Sequence, residues 1–505
     1  MSRTHAITGD LLARNTAANM AGQALPALVA AAALPLLART LGADRLGLLS
    51  LVWTVITLFG DLGFGRAATR FAADALGRGE IERIAPVAWG TALVQGAIGI
   101  AAGFALAAAT PLADRFMHVP PALQGEATRA FFLLAAGLPI VVLATAFRGM
   151  LEAAQRFGTL NLIRVPVTTA TFFLPIVALP LGWGLPGIVL LLLAARLVSL
   201  VIYFVLAARV FPELLRPHGI RAELPHVLRF GLWATVSTVV SPLLVYIDRF
   251  LLGALVGLAA VAYYTPPMEM AMRLLVIPGS ATLTLFPAFS TLSAQRHDDR
   301  LHRLVARTAK YVLLSLGPLL VIVAAGAHDI LRLWLGPEFE RQGALALQIL
   351  AAGIALNALG FIFFALVQGV GRPDLSAKFH VIELPIHALL AFLLIRAWGI
   401  PGAALAWALR VTLDTALLFA GALHTSALSR AALVAERVPR AVGLILVFAA
   451  FAAAVTFSLP LGFARLSALL VLLFAAVPPF WFLALETEER TRVRRVLQPA
   501  WARRV

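Results

Sequence analysis

The chain has 505 residues, of which 61% are hydrophobic and only 13% charged, and its mean hydropathy is +0.91. A soluble chain carries roughly 25% charged residues, so no water-soluble fold of this length hides so much apolar side chain, and an integral membrane protein is expected. Cysteine is absent, which excludes disulfides, thiolate metal sites and a cysteine nucleophile; the net charge of +16 takes its meaning from where the arginines fall.

A membrane-crossing helix needs about 20 mostly apolar residues. Fourteen such stretches follow along the chain: 17–38, 46–69, 85–109, 126–147, 159–181, 185–208, 230–254, 258–292, 308–327, 344–368, 376–396, 399–423, 441–459 and 465–485. The first is longer than a signal-peptide core of about 7–15 residues, so it is not read as a cleaved leader. The eighth is long and is expected to extend beyond the membrane on the cytoplasmic side. Pro26, Pro35, Pro175, Pro242, Pro278 and Pro287 each remove a backbone hydrogen bond, and kinked or broken helices are expected there.

With the N-terminus inside, 28 Lys/Arg fall in inside segments and 7 in outside segments. The positive-inside rule then places both termini in the cytoplasm. The basic loops face anionic inner-leaflet lipid, and no nucleic-acid partner is needed to explain the charge.

The sequence repeats itself at a shift of about 215 residues. Arg14 maps to Arg229, Gly42 to Gly257, and "GLPGIV" at 184–189 to "GIPGAA" at 399–404. Six helices separate equivalent points, so both halves enter the membrane in the same direction, as a parallel repeat. The expected fold is an all-α integral membrane protein of about fourteen transmembrane helices. Two parallel-repeat six-helix lobes (1–215 and 216–430) surround a central cavity, and 431–505 adds two C-terminal helices and a basic tail.

"LLARNTAANMAGQALPALVAAAALPLLARTLGADRLGLLSL", "DLGFGRAATRFAA", "YIDRFLLG", "PGSATLTLFPAFS", "VQGVGRPDLSAKFHVIELPIHALL" and "GIPGAALAWALRVTLD" follow one another in an order that resembles the Wzx-like polysaccharide transporters of the MOP superfamily. The resemblance implies a flippase for a lipid-linked (polyprenyl-pyrophosphate) oligosaccharide, working by alternating access beside polysaccharide polymerase and glycosyltransferase machinery. It also implies that the last two helices serve the lipid tail. A lipid II flippase and a cation-coupled multidrug exporter of the same superfamily are the alternatives. A membrane polymerase usually has a large outside loop, and the longest here is about 16 residues.

Charges inside the apolar stretches are the candidate site. Arg66, Arg196, Arg249, Arg273 and Arg410 are candidates for binding the anionic substrate. Asp61, Asp248, Glu269, Glu383 and Asp414 are candidates for ion coupling or charge balance, with a proton or sodium gradient as the driving force and no cofactor or metal site expected. The competing structural reading is pairing within the bundle or snorkelling to an interface. Glu269 and Arg273 are four apart in the favourable order for an intrahelical pair, and Arg410 and Asp414 are four apart in the reverse order. Asp248 and Arg249 diverge by about 100° and lie toward the outer end of their helix, where snorkelling competes with a cavity role. Arg196 lies mid-helix with no acid on its own helix and is, within one residue, the repeat partner of Arg410. Glu383 has no facing partner on its helix. No GxxxxGK[ST] loop or HExxH pattern occurs, so neither P-loop ATP hydrolysis nor a zinc hydrolase is expected, and the chain is read as a transporter and not an enzyme.

Overall fold

The computed structural model describes the backbone of residues 9–60, 64–425 and 427–491; within these, the side chains of 9–24, 64–67, 113–115, 222, 226–242 and 283–284 are not described. Among the described residues the chain is helical with short connections and no strand. The α-helices are α1 (Gly9–Gly60), α2 (Phe64–Arg78), α3 (Ile84–Phe116), α4 (Pro121–Ala153), α5 (Phe157–Ala178), α6 (Gly184–Val210), α7 (Ile220–Leu255) and α8 (Leu258–Arg273). They continue with α9 (Val276–Ala294), α10 (Asp298–Ala325), α11 (Ala327–Trp334), α12 (Pro337–Gly369), α13 (Pro373–His424), α14 (Arg430–Ala435), α15 (Val438–Ser458) and α16 (Phe463–Pro479). In hydrocarbon every backbone group must be satisfied internally, which is why apolar runs of this length become helices and nothing else.

Eleven spans among the described residues are long and apolar enough to cross a membrane. Two of them, Leu25–Gly60 and Pro373–His424, each join two of the stretches read from the sequence, and α7 covers the seventh. The sharp breaks fall at glycine. Gly42 (φ 73, ψ 171) interrupts α1 and Gly399 (φ 57, ψ −126) interrupts α13, backbone angles that side-chain-bearing residues rarely adopt. Pro26, Pro35, Pro175 and Pro287 instead sit inside continuous helices. Pro242 lies where side chains are not described, and Pro278 stands in the first turn of α9, where a missing N–H costs nothing. The eighth stretch differs from expectation: it breaks at Leu274–Leu275 into α8 and α9.

The repeat is visible in the backbone. α4 and α12 are both 33 residues long, both start on proline, and are the two most buried spans. Gln155 and Gly371 carry positive φ at equivalent points after them, and the closing bonds match: Arg156 N–H donates to Leu151 O, and Arg372 N–H to Val367 O. The shift here is about 216. Gly184 (φ 60) and Gly399 (φ 57) share a positive φ, as do Gly42 and Gly257, at a shift of about 215. The close approaches repeat too. A Cβ on Gly137 would meet the Leu193 side chain at 2.2 Å, and one on Gly353 would meet Trp407 at 2.9 Å and Ala408 at 3.1 Å. Such small-residue contacts replace the hydrophobic effect as the source of helix association in lipid.

By packing, the chain divides into one unit of Met1–Pro266 with Ile395–Gly399, and a second of Pro267–Leu394 with Ile400–Val505. This division follows contacts and the one at 215 follows the repeat, so they measure different things. In the first unit α4 packs on α2, α3 and α6, around Ala68, Ala72, Ile84, Val87, Phe147 and Met150. Trp89, Phe147 and Phe204 meet edge to face with centroids 5.0–6.0 Å apart. In the second unit α10 is the hub, packed on α9, α12 and α15. Ile322 joins Phe448, Ala452, Leu469 and Ala476 in a core that attaches α15 and α16 to it.

Candidate functional site

Three helix faces in the first unit meet at a cavity. Val141, Ala144, Thr145 and Arg148 form one stripe on α4; Arg164, Val167 and Thr168 another on α5; Arg196, Ser199 and Tyr203 the third on α6. The spacing is i, i+3, i+4, i+7 on α4, i, i+3, i+4 on α5 and i, i+3, i+7 on α6, so each helix presents its arginine on the face that lines the cavity. No described residue lining it is a carboxylate. Arg148 reaches Glu152 one turn away at 3.3 Å, and Glu152 also accepts the Thr69 hydroxyl at 3.0 Å. Gathering guanidiniums in a low-dielectric site is costly unless an anion neutralises them, and their planar forks suit phosphate oxygens. Arg196 was legible as an unexplained central charge. Arg148 and Arg164 are among the inside-segment arginines counted above; their placement three or four residues from small and hydroxyl side chains was the available signal.

Asp248 and Arg249 lie in the same unit, 0% and 3% exposed. Arg249 Nη1 donates to Thr54 Oγ1 of α1 at 3.1 Å, and its guanidinium lies 5.1 Å from the Tyr246 ring centroid. Asp248 accepts the backbone N–H of Arg249 at 2.8 Å and the Tyr264 hydroxyl of α8. The pair thus joins α1, α7 and α8. Neither side chain is at the helix surface where a snorkelling group would be.

The second unit holds the other charges together. Glu383 on the first arm of α13 and Arg410 on the second approach to 3.8 Å, and His380 Nε2 lies 3.8 Å from Asp414 Oδ1. Arg410, whose spacing had suggested Asp414 as its partner, faces Glu383, because the bend at Gly399 folds the two arms face to face. Its guanidinium lies 5.9 Å from the buried Trp407 ring centroid. Glu269 and Arg273 sit half-buried at the end of α8. Asp61 lies outside the described residues, and Arg66 is on α2 at a position whose side chain is not described.

The family description "Polysaccharide biosynthesis protein" matches residues 12–293, and "MatE" matches 234–393. A Shigella flexneri protein named "Putative O-antigen transporter" is 26% identical over 410 residues, covering 80% of this chain and 96% of its own. A Haloferax volcanii protein named "Probable low-salt glycan biosynthesis flippase" is 22% identical over 38% of this chain and 40% of its own. Among solved structures, the lipid II flippase MurJ superposes with a TM-score of 0.70 at 11% identity, over 91% of this chain and 98% of that one. A multidrug resistance MATE family transporter of the MOP superfamily, in an inward-facing conformation, gives 0.69 at 19% identity, over 80% and 95%. At these identities the structural likeness establishes the fold alone.

Proposed function

Because the chain belongs to the polysaccharide biosynthesis protein family, we propose that it is a flippase that carries a polyprenyl-pyrophosphate-linked oligosaccharide across the plasma membrane by alternating access. The observation that carries this reading is the arginine cavity of the first unit, where Arg148, Arg164 and Arg196 line one space inside apolar helices. A diphosphate is the part common to all such lipids, and bidentate guanidinium–phosphate contacts are the strong, oriented way to hold it. Thr145, Ser199 and Tyr203 add hydroxyls to the same wall. The names of the Shigella and Haloferax relatives support a glycan-linked cargo. A cavity lined by arginines disfavours cationic drugs. A lipid II flippase would use the same diphosphate chemistry and is separated by which lipid-linked intermediate accumulates when this chain is lost. Arg249, Arg273 and Arg410 remain secondary contacts in this reading, with a proton or sodium gradient as the driving force and polymerase and glycosyltransferases as neighbours in assembly.

The test is Arg196→Ala in cells that depend on this flippase. Surface polysaccharide is expected to be lost while the protein inserts and accumulates normally. Arg196→Lys keeps a point charge without the fork and is expected to retain part of the function. Normal polysaccharide at normal protein level in Arg196→Ala would overturn the assignment.

A further inference from the structure

The arginine cavity and the acid–histidine cluster occupy the same place in the repeat. At the shift of about 216, Arg164 corresponds to His380 and Val167 to Glu383; at about 215, Ser199 corresponds to Asp414. Arg148 corresponds to Phe364, whose ring stacks on His380 at 6.1 Å and 17°. The first half has an arginine, a valine and a serine where the second has a histidine and two carboxylates.

We propose that His380, Glu383 and Asp414 form a binding site for a divalent transition-metal cation of the Zn2+ type, which clips the two arms of α13 together. Their candidate ligand atoms all lie within 4.8 Å of one another. His380 and Glu383 are three apart on the first arm and so share a face; Asp414 comes from the second. Glu383 is 0% exposed, yet neither of its oxygens accepts a hydrogen bond, and Asp414 Oδ1 accepts none. Arg410 at 3.8 Å is beyond hydrogen-bond reach. Burying a carboxylate without donors is costly, and a metal ion supplies what these oxygens lack. One imidazole with two carboxylates suits Zn2+ or its neighbours, bound at about 2.0–2.2 Å per ligand; an alkali cation gains little from imidazole. His380 is half-buried, which gives the ion a way in. The stacked Phe364 ring fixes the imidazole plane. Arg410 is the group that opposes the ion, and it shares the cluster with His387, one turn beyond Glu383, and with Trp407. This site does not depend on the diphosphate reading of the first unit.

The experiment uses the purified, tag-free, full-length chain, stripped with chelator and titrated with Co2+ and then Zn2+. No thiol competes, since the chain has no cysteine. The expected result is a visible Co2+ ligand-field band saturating at one equivalent and displaced by Zn2+. His380→Gln and Asp414→Asn should each weaken binding by at least about tenfold. Arg410→Gln removes the opposing charge and should tighten it by about tenfold. Absence of a stoichiometric band in the parent chain, or a band unchanged in both ligand variants, overturns the site. If a ligand variant fails to elute as a folded species, Arg410→Gln decides: unchanged or weaker Co2+ binding there overturns it too.

Discussion

A charge buried in a membrane helix costs several kcal/mol unless neighbours replace the water it has lost. Asp248 meets that requirement locally, and Arg249 meets it in part. Two donors serve the carboxylate; Thr54 and the Tyr246 ring serve the guanidinium, whose Nε is buried without a hydrogen bond. Each charge has its own partners because adjacent residues diverge by about 100° on the helix. Swapping them therefore faces each charge with the wrong groups. The double variant Asp248→Arg, Arg249→Asp is expected to lose flipping and to melt markedly lower, since breaking a buried polar pair typically costs about 3–5 kcal/mol. A swap that leaves surface polysaccharide and thermal stability unchanged would show that the burial does not govern function.

At the scale of elements, the C-terminal helices are fastened at both ends. Asp329 on α11 accepts the Gly462 N–H at 2.7 Å and Arg465 Nε at 2.6 Å, and Arg465 also reaches Thr456 O at 3.3 Å. At the other end Glu489 accepts Lys310 Nζ at 2.8 Å, the Tyr311 hydroxyl at 2.6 Å and the Glu486 N–H at 2.8 Å. Burial alone would push the Glu489 carboxyl up, but these three donors hold it below its usual range. A carboxyl whose pKa is lowered by folding contributes stability above its unfolded value, near 4.3, and loses it as pH falls through the lower folded value. The Glu486 amide is thus expected to lose exchange protection, measured against its intrinsic rate, only below about pH 4. In Glu489→Gln it should be unprotected at neutral pH as well. Constant protection across both would argue against the pin. At the Asp329 end, Asp329→Asn should loosen α16, read as faster amide exchange over 462–466.

At the scale of the molecule, the two halves of the repeat share backbone features and differ in the chemistry of several equivalent positions. The 33-residue helices, the positive-φ glycines and the close glycine contacts persist, because helix packing in lipid depends on shape. The charges on equivalent faces have diverged, because packing does not fix them. The orientation expected of the whole chain follows from its arginine-rich connections. Reporter fusions at residue 1 and after residue 505 should both report the cytoplasm; an outside signal from either would contradict the charge asymmetry.

The membrane class, the number of apolar stretches, the parallel repeat and the family resemblance were all written in composition, run length and the spacing of a few glycines. These depend on local physics: hydrocarbon demands apolar length, and Gly42 and Gly399 mark where a helix must turn. Arg196 was legible for the same reason, as a charge with no local explanation. What only the tertiary structure decided is which charges meet. Arg148 and Arg164 join Arg196 because α4, α5 and α6 pack their striped faces together, and Glu383 faces Arg410 because α13 folds back at Gly399. Contacts between residues tens of positions apart depend on helix rotation and crossing. Spacing along the chain fixes the face a side chain lies on, and only packing fixes which other face it meets.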